Sequence, residues 1–176
     1  MAADVYAADE QADLDVDLAR WSALARSVLD DRGVKGEAEV SLLFVDEAAI
    51  AALNERFLHK PGPTDVLAFP IEDEPAVSGR SPDLGGTGPG SEPPGAPTLL
   101  LGDVVICPTV AARNALDHEV STDDEMALLV VHGLLHLLGM DHEAEDEAER
   151  MERLERALLS RYHRPSATGD ADGATA

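Results

Sequence analysis

The chain has 176 residues, 44% hydrophobic and 3% aromatic, with a net charge of −22 from 35 acidic and 13 basic side chains. That length suits one domain whose core must be built mostly of Leu, Val and Ala. The charge counts against general nucleic-acid binding. No apolar run approaches the ~18 residues of a membrane span, and Met1-Ala2-Ala3-Asp4 lacks the basic and apolar regions of a signal peptide. With Cys107 as the single cysteine, no internal disulfide can form, and a cytoplasmic setting without membrane contact is expected.

Asp4 to Glu10 reads as a short first strand. Leu14, Leu18, Trp21, Ala25 and Val28 follow helical spacing, with Gly33 and Gly36 ending that helix. Glu39 to Val45 reads as a strand, and Asp46 suits the N-cap of a helix through Ala49, Ile50, Leu53 and Phe57. Pro61-Gly62-Pro63 breaks the chain before a strand at Asp65 to Ile71. Residues 72–97 hold six Gly and six Pro, which predicts an exposed flexible insertion in a hairpin. Leu99 to Ile106 is an apolar strand, and Pro108 opens a helix through Val110, Ala111 and Leu116.

Thr122, with Glu125 three residues on, reads as a capping box for the next helix. That helix is apolar nearly all round from Met126 to Leu138, which predicts a buried central helix stopped at Gly139. A charged helix is expected from Glu143 to about Leu159, then a disordered tail over 161–176. The whole predicts a single α+β domain over 1–160, a small mixed sheet of about four strands packed with four or five helices.

The chemistry is expected at the C-terminal end of the buried helix, in His132-Gly133-Leu134-Leu135-His136-Leu137-Leu138-Gly139-Met140-Asp141-His142. Residues four apart share one helix face, so His132 and His136 can reach one ion about 2 Å from each. After the turn at Gly139, His142 can return as a third ligand. Three neutral nitrogens leave one tetrahedral position open, the pattern of catalytic zinc, with one Zn2+ per chain. Burying two unpaired imidazoles on an apolar helix would otherwise cost free energy. The spacing is that of the metzincin proteases, but the position of their general base is Gly133, which cannot move a proton. Asp141 and Glu143 flank the third histidine; each could orient a ligand, or be a solvated acid beyond a helix end.

The His132 to His142 run matches the signature of the YbeY family of endoribonucleases, the rRNA maturation factors. Leu53-Asn54 with Pro63-Thr64-Asp65-Val66-Leu67-Ala68-Phe69-Pro70 is similar to that family's Leu-Asn and Pro-Thr-Asp-Val-Leu-Ser-Phe block. Leu101-Gly102-Asp103-Val104-Val105-Ile106 resembles its Leu-Gly-Asp-Ile strand, and Glu125 with Leu128 and Leu129 the lead-in to its histidine helix. The resemblance implies a zinc-dependent, single-strand-specific endoribonuclease acting in 16S rRNA 3′-end maturation and ribosome quality control, with zinc on His132, His136 and His142. The implied partners are rRNA and the small ribosomal subunit or its proteins. The remaining alternatives are a metalloprotease-like zinc hydrolase and a non-catalytic ribosome-assembly factor with a bound metal. Many members carry Arg where this chain has Leu58; Arg56, His59 and Lys60 are the nearby RNA-binding candidates.

From Asn114 through Glu149 there are eleven acidic residues and no Lys or Arg. Such a field repels a phosphate backbone. Either the acids face away from the cleft, or a ribosomal partner delivers the RNA.

Overall fold

The computed structural model describes residues 3–34, 38–71, 99–140 and 144–163. The predicted 72–97 insertion, and all of the predicted tail beyond His163, lie outside them. No described helix is long and apolar enough to cross a membrane.

Four strands form one mixed sheet: β1 (Asp4–Asp9), β2 (Ala38–Phe44), β3 (Val66–Pro70) and β4 (Leu99–Ile106), in the order β1-β2-β4-β3. β2 runs parallel to β1 and β4, while β3 and β4 form an antiparallel pair around the segment predicted as a hairpin insertion. β2 alternates strictly, with Ala38, Val40, Leu42 and Phe44 buried, because successive side chains face opposite sides of a sheet. Among the described residues, five helices pack with the sheet: α1 (Leu18–Asp31), α2 (Glu47–Leu53), α3 (Pro108–His118), α4 (Thr122–Leu137) and α5 (Glu145–Tyr162). A single π-helical turn, Asn54–Leu58, prolongs α2.

Two predicted helix starts are corrected. Leu14 stays outside α1, because its N–H and that of Asp13 both donate to Gln11 Oε1 at 3.0 Å, while Asp17 Oδ1 caps the helix by accepting from Arg20 N. Local side-chain bonds of this kind compete with helical ones. Thr122 is not a cap: Ser121 Oγ accepts from Asp124 N at 3.0 Å, so Thr122 is the first helical residue. The Asp46 cap stands as read, with Oδ1 accepting from Ala49 N at 2.9 Å. The last helix also runs to Tyr162, two residues into the expected tail, where Arg161 Nη1 and Tyr162 OH both donate to Asp31 Oδ2. Those bonds hold the Asp31 carboxyl below its ordinary pKa, Tyr162 contributing most, and tie α5 to α1.

α4 is the central helix. Met126, Ala127, Leu129, Val130, Val131, Leu134, Leu135 and Leu137 are buried, in one cluster with Val28, Leu42, Phe44, Val104, Met151 and Leu158. Each such Leu or Val contributes about 1.5–3 kcal/mol by leaving water, which outweighs the about 1 kcal/mol that a mid-helix glycine costs. That glycine, Gly133, sits where α4 crosses β4: a Cβ there would lie 2.5 Å from Val104 Cγ1. α2 covers part of the opposite sheet face through Ile50, which clusters with Leu67 of β3, Val105 of β4, Cys107 and Val110 of α3.

Candidate functional site

α4 places His132 and His136 on one face of its last turns. Their Nε2 atoms approach to 3.1 Å, with ring planes at 76°. Two nitrogens bound to one tetrahedral zinc lie about 3.3 Å apart, so the pair fits a shared ion. The other nitrogen of His132 is also engaged: Nδ1 lies 2.5 Å from Glu155 Oε2 on α5. A carboxylate accepts, so in the neutral ring Nδ1 carries the hydrogen and Nε2 presents its lone pair to its neighbour. A carboxylate on the far nitrogen of a metal-binding histidine is the usual means of setting its tautomer and orientation.

α4 then ends in a turn, Gly139 N donating to His136 O and Met140 N to Leu135 O, both at 3.0 Å, with Gly139 at φ +96°. That left-handed backbone suits glycine and reverses the chain. Asp141, His142 and Glu143 lie outside the described residues, so the third predicted ligand and the two flanking acids have no placement.

Two clefts meet at His132. The first, about 390 Å³, is lined by Asp65, His118, Glu125, His132, Glu152 and Glu155 among others, and is strongly acidic. Here the expectation that acids face away from the site holds only in part. Glu145, Asp146, Glu147 and Glu149 are exposed, and so is Glu152 at the rim of the cleft, whereas Glu155 is buried. Glu125 is buried, and its Oε1 lies 2.9 Å from His118 Nδ1 at the end of α3. That hydrogen bond, and then the charge of Glu125, raises the His118 pKa above its ordinary value.

The pair therefore stabilises the fold fully below the unfolded histidine value near ~6.5, and the contribution is lost as pH rises through the raised folded value. The Tm difference between wild type and His118→Gln is expected to shrink as pH climbs from about 6 to about 9. A difference that stays constant across that range, in thermal denaturation followed by circular dichroism, would contradict the linkage.

The second cleft, about 600 Å³, runs between the outer edge of β3 and α4 and is lined by Asn54, Phe57, Leu58, Lys60, residues 64–70, His132, Gly133 and His136. Of the three RNA-binding candidates, Lys60 lines this cleft. Arg56 lies with its guanidinium 5.2 Å from the centre of the Phe57 ring. His59 is exposed and takes a left-handed backbone at φ +58° as the cap of the π turn. Leu58 lines the cleft and is 46% exposed.

Glu155 is the site residue that the sequence reading missed. Its signal was present: Met151, Glu155 and Leu158 share the buried stripe of α5, and a carboxylate on an apolar stripe needs a partner. Cys107, read as a small core residue, is fully buried at the end of β4.

The family model described as Endoribonuclease YbeY matches residues 6–163. Among curated relatives, the Endoribonuclease YbeY of Beutenbergia cavernae is 48% identical over 82% of this chain and 87% of its own length. Those of Acidothermus cellulolyticus and Salinispora tropica are 45% and 46% identical, over 85% and 84% of this chain and 85% and 89% of their own. The solution structure of TM1509 from Thermotoga maritima shares the fold, with a TM-score of 0.54, 21% identity, and 90% of this chain and 91% of that one covered.

Proposed function

Because the chain belongs to the YbeY family of endoribonucleases, we propose that it is a metal-dependent hydrolase that cuts single-stranded RNA at the His132–His136 pair. The observation that carries the metal is the convergence of the two Nε2 atoms with Nδ1 of His132 held by Glu155. His132 and His136 would hold zinc, with His142 as the third ligand. When bound, zinc supplies Lewis-acid chemistry at a phosphodiester.

This chain's own residues do the rest of the positioning. Glu155 keeps the His132 proton on Nδ1 and thereby fixes which nitrogen faces the cleft. β3 and the turn after α2 form the opposite wall. Membership of the family supports a ribosomal RNA substrate, processing at the 16S 3′ end and ribosome quality control in the cytoplasm. A protease reading fails on Gly133, which carries no group to move a proton and where a Cβ would meet Val104.

Glu155→Gln keeps the size of the side chain and removes its charge. Zinc affinity, measured by competition with a chromophoric chelator, is expected to fall about 10- to 100-fold, with the circular dichroism spectrum unchanged. Wild-type affinity in this variant would remove Glu155 from the metal site.

The function is tested with purified protein and one RNA sequence presented single-stranded and as a duplex. Cleavage of the single strand alone, lost on chelation and restored by zinc, is the expected result. Absence of cleavage by the zinc-loaded protein, or full cleavage by verified metal-free protein, would overturn the proposal.

A further inference from the structure

We propose that the β3–α4 cleft contains a base-stacking subsite, in which Phe57 takes the face of an unpaired base and Lys60 contacts the adjoining phosphate. The inference rests on the endoribonuclease reading and adds to it the residues that hold the strand.

The first observation is a misplaced aromatic. Of the three phenylalanines, Phe44 is buried in the core, while Phe57 and Phe69 line the histidine cleft. Phe57 is 50% exposed, an uncompensated loss of burial for so large a side chain. Its ring meets Phe69 edge-on, with centroids 5.3 Å apart, and has the Arg56 guanidinium beside it. Exposed rings combined with cations are what sequence-tolerant single-strand binding uses, since every base has a π face.

The second is that the backbone is built to present these groups. The turn carrying Arg56 and Phe57 is π-helical, a rare form found frequently at functional sites. Asn54 is buried and donates from Nδ2 to Gly62 O at 3.0 Å, while Lys60 N donates to Asn54 O. Both ends of the loop bearing Lys60 are thus pinned to one buried side chain and its backbone.

The third is the division of charge. Glu125, Glu152 and Glu155 line the other cleft. Among the described residues lining this one, Asp65 is the single carboxylate, and it already accepts from Val66 N and Asn114 Nδ2. A polyanion is therefore repelled on the α5 side of His132 and admitted on the β3 side. Inside a duplex both faces of a base are covered by its neighbours, so a ring that needs a free base face favours single strands.

The test uses the full chain and oligouridine RNA. Phe57→Ala is expected to raise KM about ten-fold or more, with kcat and zinc content unchanged. Lys60→Ala should lower the salt dependence of binding by about one phosphate contact. In Phe57→Trp, KM should be retained and the added fluorescence quenched by the single strand but not by a duplex; Trp21, 2% exposed, provides a shielded background. If wild type cleaves RNA and Phe57→Ala has the same KM, the subsite is wrong and the endoribonuclease reading stands. If wild type does not cleave, quenching still decides: no response to RNA, or a response to an extended casein peptide instead, overturns the subsite.

Discussion

Replacing His136 with alanine is expected to leave the protein folded, without stoichiometric zinc, and without cleavage of single-stranded RNA. The size of the effect follows from ligand number. Catalytic zinc is held by three protein ligands, and removing one leaves two nitrogens without the tripod that fixes the ion. The fold should survive because the His136 ring is only partly buried, and the helix around it is held by Leu134, Leu135 and Leu137. Zinc per chain by mass spectrometry, cleavage on gels and circular dichroism together separate loss of metal from loss of fold. A variant that keeps one zinc per chain and wild-type cleavage would remove His136 from the site.

The second large effect concerns Gly133. Installing the glutamate that a metzincin carries there is expected to lower Tm by about 10 °C or more and to confer no digestion of casein. A Cβ at this position would lie 2.5 Å from Val104 Cγ1 and 3.2 Å from Cγ2. Overpacking costs about 1–3 kcal/mol, and forcing a carboxylate against the sheet adds several more, against a total stability of about 5–15 kcal/mol. Thermal denaturation of Gly133→Ala, Gly133→Glu and Gly133→Ala with Val104→Ala checks the cause. Trimming Val104 should recover part of the Gly133→Ala loss, because the two positions share one contact. A Gly133→Glu protein with the wild-type Tm would show that the helix can move off the sheet at little cost.

Position 133 also shows how far a motif can be read. The absent base was legible from one letter, and it argued against protease chemistry. Why that letter is glycine was not legible, since Val104 lies 29 residues away on a strand that meets α4 only in the fold.

The same division runs through the whole chain. Alternation in β2, the apolar belt of α4, the Asp46 cap and the i, i+4 histidines are local patterns, and each was readable because periodicity alone decides which face a side chain takes. The errors at Leu14 and Thr122 were also local. There, two neighbouring side chains compete for the same backbone N–H groups, and propensity does not rank Gln11 or Ser121 above their rivals.

The charge question needed the fold outright. A run of acids in sequence becomes, on α5, an exposed face and an inward face, and only the docking of α5 on α4 determines that Glu155 meets His132 across 23 residues. Likewise the turn at Asn54–Leu58 reads as ordinary helix until β3 is placed opposite it. The amino-acid sequence by itself determined the histidine pair, its helix and the family. The tertiary structure decided the carboxylate that orients His132, the packing that requires Gly133, and the wall of the cleft on which Phe57 and Lys60 stand. Those depend on pairs of elements meeting at a particular angle and depth, which no short-range periodicity encodes.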